Sequence, residues 1–178
     1  MYTLSFPAGK EDIAPLHAGD TVFVSGTIYT ARDAAHKRLV GMIERGEQLP
    51  IELSGACIYY CGPCPAPPGA VIGSCGPTSA LRMDAYAPLL YEKGVAAVIA
   101  KGPVAPSVRE SIAANGCAYL CAAGGAGALI AQCVKRMQVV AFEDLGTESI
   151  KKLEVENLPV IVGIDSEGTS LFRGGEDA

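Results

Sequence analysis

Residues 95–137 read VAAVIAKGPVAPSVRESIAANGCAYLCAAGGAGALIAQCVKRM and contain two strand-then-helix units in succession. The apolar runs 95–100 and 118–123 are short and bounded by glycine or proline, as buried strands usually are. Residues 107–115 and 127–137 instead place apolar side chains at helical spacing. This alternation is typical of a parallel sheet covered by helices, so the stretch predicts an α/β fold.

A further strand-then-helix unit precedes this stretch. Residues 21–28 are rich in β-branched side chains and predict a strand. Thr30 and Asp33 have the spacing of a capping box, which predicts that a helix begins near Ala31. Gly46 suits the end of that helix, because glycine accepts the left-handed backbone with which many helices end.

The remaining segments predict short strands and one more long helix. Residues 55–75 alternate short apolar runs with Gly and Pro, which indicates a β-rich module of short strands joined by turns. Residues 78–93 return to helical spacing. Towards the C-terminus the pattern predicts, in order, a strand at 139–142, a short helix at 148–153, a strand at 159–164 and a hairpin turn at 165–168. The predicted class is therefore α/β with mixed sheets.

Length and charge narrow the classes of function. A chain of 178 residues is long enough to bury a core, and no linker or repeat divides it, so we expect residues 1–178 to form a single domain. Lys and Arg number 14 against 19 Asp and Glu, a net charge of −5, and no basic run follows the pattern of a phosphate backbone. Nucleic acid is therefore not an expected partner.

Hydropathy bears on partners and location. Apolar residues make up 49% of the chain and the mean hydropathy is +0.28, which suggests an apolar surface covered by a protein partner. The longest apolar stretches fall far short of the roughly 20 residues that span a bilayer, so we expect no membrane segment. Residues 1–7 lack the basic-then-apolar pattern of a secretion signal, which predicts a cytoplasmic location.

The first of two arginines beside a predicted helix start is Arg32. It falls in the first turn of the helix that begins near Ala31, where unpaired N–H groups and the helix dipole favour an anion. His36 lies one turn later on the same face. On spacing alone, Arg32 belongs either to a carboxylate site or to a local ion pair. His36 is either part of that site or a buried structural histidine.

The second arginine repeats this arrangement. Gly76 and Pro77 precede Thr78 and Ser79 at the start of the next predicted helix, and Arg82 follows one turn later. If both helix starts face one cleft, two arginines suit a dicarboxylic acid better than a single phosphate. The alternative is two ordinary helix starts with solvent-facing arginines.

A lysine and a glycine-rich stretch extend this candidate site. Lys101 follows the strand predicted at 95–100, and ligands of open α/β sheets bind at the carboxyl ends of strands. Residues 124–127 follow the next predicted strand and precede a helix, but they lack the ending of a P-loop and the full dinucleotide pattern. We interpret these residues as a site of close backbone packing rather than a nucleotide site.

Three of the seven cysteines have a spacing that binds metal in other proteins. Cys57, Cys61 and Cys64 reproduce the C-x3-C-x2-C pattern with which radical enzymes hold an iron–sulfur cluster. Residues 57–61 also predict a strand, however, on which the first two thiols are ~13 Å apart at ~3.3 Å per residue. We therefore interpret the triplet as incidental and expect this chain to bind no metal. The other four, Cys75, Cys117, Cys121 and Cys133, fit small core residues.

The order of these motifs resembles a known family. The stretches SGTIYTARDAAH at 25–36, YYCGP at 59–63 and GPTSALRMD at 76–84, followed by Lys101-Gly102, are similar to the β subunit of the class I iron–sulfur fumarases and tartrate dehydratases. Residues 124–125 and 144–148 extend the similarity across most of the chain. The resemblance implies a swivelling β/β/α domain, like the C-terminal domain of the single-chain enzymes, packed against a separate α subunit.

The resemblance also implies residue roles and a cofactor. Thr78 is the expected proton-transfer residue, and the expected substrate-binding residues are Arg32, Ser79, Arg82 and Lys101. The residues expected to support them are Asp33, His36, Gly76 and Pro77. Ser79 stands where many relatives have a second threonine, a change that keeps the hydroxyl. In this family three cysteines of the α subunit hold a four-iron four-sulfur cluster, so the resemblance implies that this chain is active only with that subunit.

The implied reaction is the reversible hydration of fumarate to malate, with the open iron as Lewis acid and a base for the carbon-bound proton. The expected assembly is an αβ heterodimer that pairs into a larger two-fold complex. Three alternatives remain open at this stage. The substrate is tartrate, the cysteine triplet belongs to a radical enzyme, or the chain binds a dicarboxylate without turning it over.

Overall fold

The computed structural model describes residues 1–172. Its strands are β1 (Tyr2–Phe6), β2 (Thr21–Thr30), β3 (Cys57–Tyr59), β4 (Ala97–Ala100), β5 (Ala118–Cys121), β6 (Val134–Ala141) and β7 (Ile150–Ile164). Its α-helices are α1 (Lys10–Ile13), α2 (Asp33–Glu44), α3 (Ala87–Glu92), α4 (Pro106–Asn115) and α5 (Gly127–Cys133). Two 3₁₀ helices, Ala80–Met83 and Glu143–Glu148, complete the described elements.

The middle of the sheet closes into a five-stranded mixed barrel. Strands β2, β3, β4 and β5 pair in parallel in that order, and β7 pairs antiparallel with both β5 and β2. Strand β1 extends the sheet beside β2, and β6 extends it beside β7. The barrel closes because β7 is long enough to pair with β2 along its whole length. This pairing begins at Thr21 with Ile161 and ends at Thr30 with Lys151.

Side chains on the two faces of the barrel strands belong to different parts of the core. Cys57 and Tyr59 pack in one cluster, whereas Ile58 between them packs in the other, as the alternation of a strand requires. The second cluster also contains the inward faces of α2, α3 and α4, so these helices cover one face of the parallel strands. All four residues of β4 are buried, as expected of a central parallel strand.

Several sequence predictions are confirmed. The alternation of strand and helix predicted over 95–137 is present as β4, α4, β5 and α5, and the class is mixed α/β. Gly46 ends α2 with a φ of +67°. The helix predicted over 127–137 is too long, because α5 ends at Cys133 and the chain continues as β6 in antiparallel pairing with β7. Strand β1 and helix α1 were not predicted.

The β-rich module predicted at 55–75 is wrong. Within that segment only β3, three residues long, is a strand. Its remainder contains Pro63, Pro65, Pro67 and Pro68, which have no backbone N–H to donate to a ladder. The segment is therefore an irregular connection that leads from the end of β3 towards Thr78.

Two predicted helices are also wrong. The helix predicted over 78–93 is interrupted, since a 3₁₀ helix ends at Met83 and α3 begins only at Ala87. Pro88 lies in the first turn of α3, where a missing N–H is tolerated, and it therefore suits a helix start better than a helix interior. In place of the helix predicted at 148–153, a 3₁₀ helix ends at Glu148 and β7 begins at Ile150, because β2 and β6 supply hydrogen-bond partners on both sides of β7.

The turn predicted at 165–168 is confirmed. Gly168 donates to the Asp165 carbonyl, and Ile164 pairs with Ser170 across the turn. No helix within residues 1–172 is both long and apolar enough to cross a membrane.

Candidate functional site

The segments that form the candidate site follow the carboxyl ends of neighbouring parallel strands. Arg32 lies two residues after β2, Gly62 three residues after β3, Lys101 directly after β4 and Gly124 three residues after β5. Because these strands are neighbours and parallel, their carboxyl ends meet at one edge of the barrel. The structure therefore brings the segments that carry Arg32 and Lys101 to the same edge.

Arg32 is held at the junction between β2 and α2. It is the N-cap residue of α2, and Thr30 is the last residue of β2, so the predicted cap at Thr30 is wrong. The Thr30 hydroxyl accepts the Lys151 N–H at 3.1 Å and lies 3.4 Å from the Ser149 carbonyl oxygen to which it donates. The Thr30 hydroxyl therefore binds the backbone of Ser149 and Lys151 across the barrel and does not cap the helix.

Asp33 connects the two arginines. Its Oδ1 accepts a hydrogen bond from Arg82 Nε at 3.0 Å, and its Oδ2 lies 3.0 Å from Arg82 Nη2 and 3.6 Å from Arg32 Nε. Arg82 is about half exposed, at 49% of its side chain, whereas Arg32 is 24% exposed. One carboxylate therefore brings the guanidinium groups of two separate segments to the same place.

Glu148 and Gly62 complete the surroundings of Arg32, and sequence reasoning gave neither a role there. Glu148 Oε1 lies 3.4 Å from Arg32 Nε. A Cβ atom at Gly62 would lie 3.1 Å from Arg32 Cδ and Nη1 and 3.4 Å from the Thr147 carbonyl oxygen. Arg32 therefore lies close to the backbone after β3, where a glycine leaves room for it.

Thr78 and Ser79 are positioned by backbone pairing rather than by a long helix. Thr78 N–H donates to the Tyr60 carbonyl at 2.7 Å, and the Thr78 carbonyl accepts the Lys101 N–H at 3.1 Å. Ser79 forms a parallel bridge with Lys101, and Ala80 N–H donates to the Lys101 carbonyl. The segment therefore continues the sheet between the ends of β3 and β4. Thr78 is partly exposed, and Ser79 and Lys101 are exposed.

Ser79 is the N-cap of the 3₁₀ helix Ala80–Met83, with no hydrogen bond from its side chain to that helix. Gly76 and Pro77 lead into this segment. Pro77 is buried, and a Cβ at Gly127 would lie 2.7 Å from the Gly76 nitrogen. The predicted role of residues 124–127 in close backbone packing therefore holds for Gly127, which contacts the turn before Thr78.

His36 is a buried neutral histidine behind the arginine. Its backbone N–H donates to the Arg32 carbonyl at 2.8 Å, and its Nδ1 lies 2.9 Å from the same oxygen. Its ring packs edge-on against Tyr60 with 4.9 Å between centroids. Burial lowers the pKa of His36 from 6.5 to about 4, so the ring is neutral at physiological pH. Of the two readings of His36, its geometry matches the structural one.

The cysteine triplet does not converge. Cys57 lies buried in β3, where desolvation raises the pKa of its thiol, and Cys64 is exposed. Cys61 is buried, and its thiol interacts with that of Cys75 rather than with the other two. Within residues 1–172 no group of three His, Cys, Asp or Glu side chains is arranged to hold a metal ion. These residues therefore do not fit an iron–sulfur cluster.

The result is an open, cationic edge with defined charge pairing. Arg32, Arg82 and Lys101 supply three positive charges, and Asp33 and Glu148 supply two negative charges that contact the arginines. Arginine groups held in this way bind carboxylates with charge-assisted hydrogen bonds. A hydroxyl at Thr78 lies in the segment that pairs with Lys101. This chemistry suits an acid with more than one carboxylate.

Comparisons with known proteins place the chain in a family. The family described as Fumarase C-terminus matches residues 3–175. The putative L(+)-tartrate dehydratase subunit beta of Methanocaldococcus jannaschii is 37% identical over 170 residues, which are 92% of this chain and 87% of that protein. The anaerobic class I fumarate hydratase of Escherichia coli is 39% identical over 152 residues, 84% of this chain and 28% of that protein.

Fumarate hydratase 2 of Leishmania major is 34% identical over 165 residues, 92% of this chain and 29% of that protein. The chain thus spans less than a third of the length of these two fumarate hydratases. The chain belongs to the Fumarase C-terminus family and is homologous to class I fumarate hydratases and to the tartrate dehydratase β subunit.

Proposed function

We propose that this chain is the β subunit of a class I iron–sulfur hydro-lyase that hydrates fumarate reversibly to malate. One observation carries the proposal: Arg32 and Arg82, from separate segments, share the Asp33 carboxylate at the edge where Lys101 also lies. Three cations around one open edge suit a substrate with two carboxylates better than a monoacid.

The cations of this edge are proposed to bind the substrate carboxylates. Arg82 uses Nε and Nη2 to contact Asp33, which leaves its Nη1 side for a substrate carboxylate. Arg32 faces Asp33 and Glu148 with Nε, which leaves its two Nη groups for a carboxylate. Lys101 supplies the third cation, and the Ser79 hydroxyl beside it supplies a hydrogen bond. Asp33, His36, Gly76 and Pro77 hold these residues in place.

Thr78 is the proposed proton-transfer residue. During dehydration its oxygen takes the proton from the carbon next to the hydroxyl-bearing carbon, and during hydration it returns that proton. A threonine hydroxyl is a poor base, so the form that accepts the proton is the deprotonated oxygen, which becomes the hydroxyl. The site must therefore stabilise Thr78 as an alkoxide. The four-residue 3₁₀ helix after Thr78 offers little dipole, so Lys101 is the chief source of that stabilisation.

The cluster is proposed to lie in the α partner, held by three of its cysteines. When bound there, the cluster supplies a Lewis acid for the departing hydroxide. Support for a partner comes from the relative named as a subunit beta and from the exposure of Ser79, Arg82 and Lys101. We further propose that residues 1–178 form one domain and that it swivels over a site shared with the partner. Pairs of αβ units in the cytoplasm form the assembly.

Tartrate is the second candidate substrate. The specific observation in its favour is the 87% coverage of the relative named a putative L(+)-tartrate dehydratase subunit beta. Tartrate also carries two carboxylates, so the assigned roles of Arg32, Arg82 and Lys101 are unchanged. Discrimination between the two substrates then depends on groups that bind the second hydroxyl of tartrate.

The test is to co-express the chain with a candidate α subunit and to purify the pair without oxygen. Loss of fumarate is followed beside a parallel assay with tartrate. We expect activity in the complex, mainly on fumarate, and none in the chain alone. Activity on tartrate alone would keep the residue roles and change the substrate. No complex and no activity would contradict the proposal and favour a dicarboxylate-binding module.

A further inference from the structure

Lys151 is a buried cation next to the candidate site, and the proposed function gives it no role. It lies at the start of β7 and is only 7% exposed. Its ammonium donates to the carbonyls of Gly146, Thr147 and Ser149 at 3.2, 3.1 and 3.3 Å, and to the Ser149 hydroxyl at 2.8 Å. Within residues 1–172 no carboxylate lies within ion-pair distance of it.

The ammonium has no hydrogen left for a substrate. A lysine ammonium has three donors, and four oxygen atoms within 3.3 Å already compete for them. The Ser149 hydroxyl in turn donates to the Gly146 carbonyl at 2.7 Å, which closes a small network within one turn. Lys151 therefore acts on the backbone around it and not on a ligand.

The backbone that Lys151 holds is the one that carries Glu148. The carbonyls of Thr147 and Ser149 flank Glu148 in the chain, so the ammonium fixes the main chain on both sides of that residue. The Thr30 hydroxyl adds a third attachment, because it accepts the Lys151 N–H and donates to the Ser149 carbonyl. Residues 146–149 are thereby tied to the end of β2, two residues before Arg32.

We propose that Lys151 is a positioning residue for substrate binding, and that it acts by holding Glu148 against Arg32. Glu148 Oε1 lies 3.4 Å from Arg32 Nε, and the Thr147 carbonyl approaches the backbone of Gly62, against which Arg32 packs. Without the ammonium, three carbonyls lose their shared donor and Glu148 loses its fixed position. This inference rests on the proposed role of Arg32 in binding a substrate carboxylate.

The test uses the assembled α and β complex with three variants of this chain, Lys151→Met, Glu148→Gln and the double variant. We expect each single change to raise the KM for the dicarboxylate substrate about 5- to 10-fold and to leave kcat within about 2-fold. The double variant is expected to raise KM no further than either single variant, because both changes break the same connection, from Lys151 through Glu148 to Arg32. If Lys151 contributed only to overall stability, the KM effects of Lys151→Met and Glu148→Gln would not be coupled in this way.

Lys152→Met is the matched control. Lys152 is the adjacent residue on β7, is 41% exposed and pairs with Glu154 at 3.4 Å. We expect its KM to equal that of the wild-type complex. Ser149→Ala is a milder variant that removes the 2.8 Å contact with Lys151 and the bond from the hydroxyl to the Gly146 carbonyl. It should raise KM in the same direction if Lys151→Met folds poorly.

Hydrogen exchange of the full chain separates this inference from the proposed function. In Lys151→Met the amides of residues 146–149 should exchange faster, with those of β4 unchanged. Any of three results would overturn the inference. The amides of residues 146–149 exchange at the wild-type rate, KM is unchanged in a folded Lys151→Met or Ser149→Ala complex, or the KM effects of Lys151→Met and Glu148→Gln are additive. A wild-type complex without hydro-lyase activity would instead contradict the proposed function, while the exchange result still decides the role of Lys151 in holding this loop.

Discussion

At the scale of single residues, Asp33 is the group that gives the site its geometry. Arg32, Arg82 and Asp33 are all partly exposed, and ion pairs of this kind contribute only about 0–1 kcal/mol to folding. Their main effect is therefore on orientation. Arg82, whose Nε donates to Asp33 Oδ1, presents its remaining N–H groups in a fixed direction, which reduces the entropy lost when a carboxylate binds.

Thr78 provides a prediction about the chemical step. Replacing Thr78 with Ala in the assembled enzyme should lower kcat about 100-fold or more and change KM little, because in the proposed mechanism the hydroxyl acts on the transferred proton and the cations bind the substrate. Steady-state kinetics on fumarate gives both constants. Thr78→Ser keeps a hydroxyl and should retain much of the activity. Wild-type turnover in Thr78→Ala would remove this residue from the mechanism.

His36 provides a prediction about stability. Its folded pKa of about 4 lies below the ordinary 6.5, so the unfolded chain takes up a proton that the folded chain excludes. The neutral ring therefore stabilises the fold fully above pH 6.5, and this contribution is lost as the pH falls towards about 4. Between about pH 7.5 and about pH 5 the loss amounts to about 2 kcal/mol.

Urea unfolding at those two pH values measures this difference. In His36→Gln the loss of stability on acidification should shrink by about 2 kcal/mol, because the titrating group is gone. His17→Gln, a change at an exposed histidine, is the control and should keep the wild-type difference. An equal pH dependence in His36→Gln and wild type would contradict the assignment of a buried neutral ring.

At the scale of elements, the site is assembled where the segments after β2 and β3 meet the segment before β7. Gly62 is the point of closest approach, since a Cβ there would lie 3.1 Å from Arg32 Nη1. This distance is too short for an ordinary contact, so the arginine must shift by a few tenths of an ångström to accommodate a methyl group. The backbone at Gly62 thus determines where the guanidinium lies.

Gly62→Ala should therefore weaken substrate binding more than it weakens folding. We expect KM to rise about 3- to 10-fold, with kcat changed less, because the displaced Arg32 binds the carboxylate equally badly in substrate and transition state. Gly124→Ala is the control, as its Cβ would make an ordinary 3.6 Å contact with Lys101 Cδ. Equal KM values for the two variants would show that the position of Arg32 does not depend on Gly62.

Local patterns predicted the parts of the site that depend on neighbouring residues. The runs before Arg32 and Lys101 have strand composition. Because ligands bind at the carboxyl ends of parallel strands, both residues were predicted at one edge of the sheet. The helix start assigned to Thr78 was wrong, because the segment makes backbone bonds to Tyr60 and Lys101 in place of helical ones. Glu148 and Lys151 received no role, because Glu148 meets Arg32, and Lys151 binds the backbone beside Glu148, only when β7 pairs with β2.

At the scale of the whole molecule, closure of the barrel is what completes the site. Strand β7 returns antiparallel along β2 over nine pairs and carries residues 146–149 to the end of that strand. Such a long-range pairing leaves no periodic signal in the sequence around Arg32, so the closed barrel could not be predicted. The mixed α/β class was predictable, because it depends on the local alternation of strands and helices. The cationic edge that results is exposed at Ser79, Arg82 and Lys101, as the proposed assembly with a partner requires.

This chain is proposed to bind the substrate carboxylates in an enzyme assembled with a cluster-bearing partner. The most direct test is the KM for fumarate of Arg32→Gln in the assembled complex, beside Arg38→Gln. Arg38 lies on the same helix but pairs with Asp144 at 2.8 Å. We predict that Arg32→Gln raises KM about 10- to 100-fold, as expected for the loss of charge-assisted bonds, and that Arg38→Gln does not. Equal KM values for both variants and wild type in intact complexes would contradict the claim.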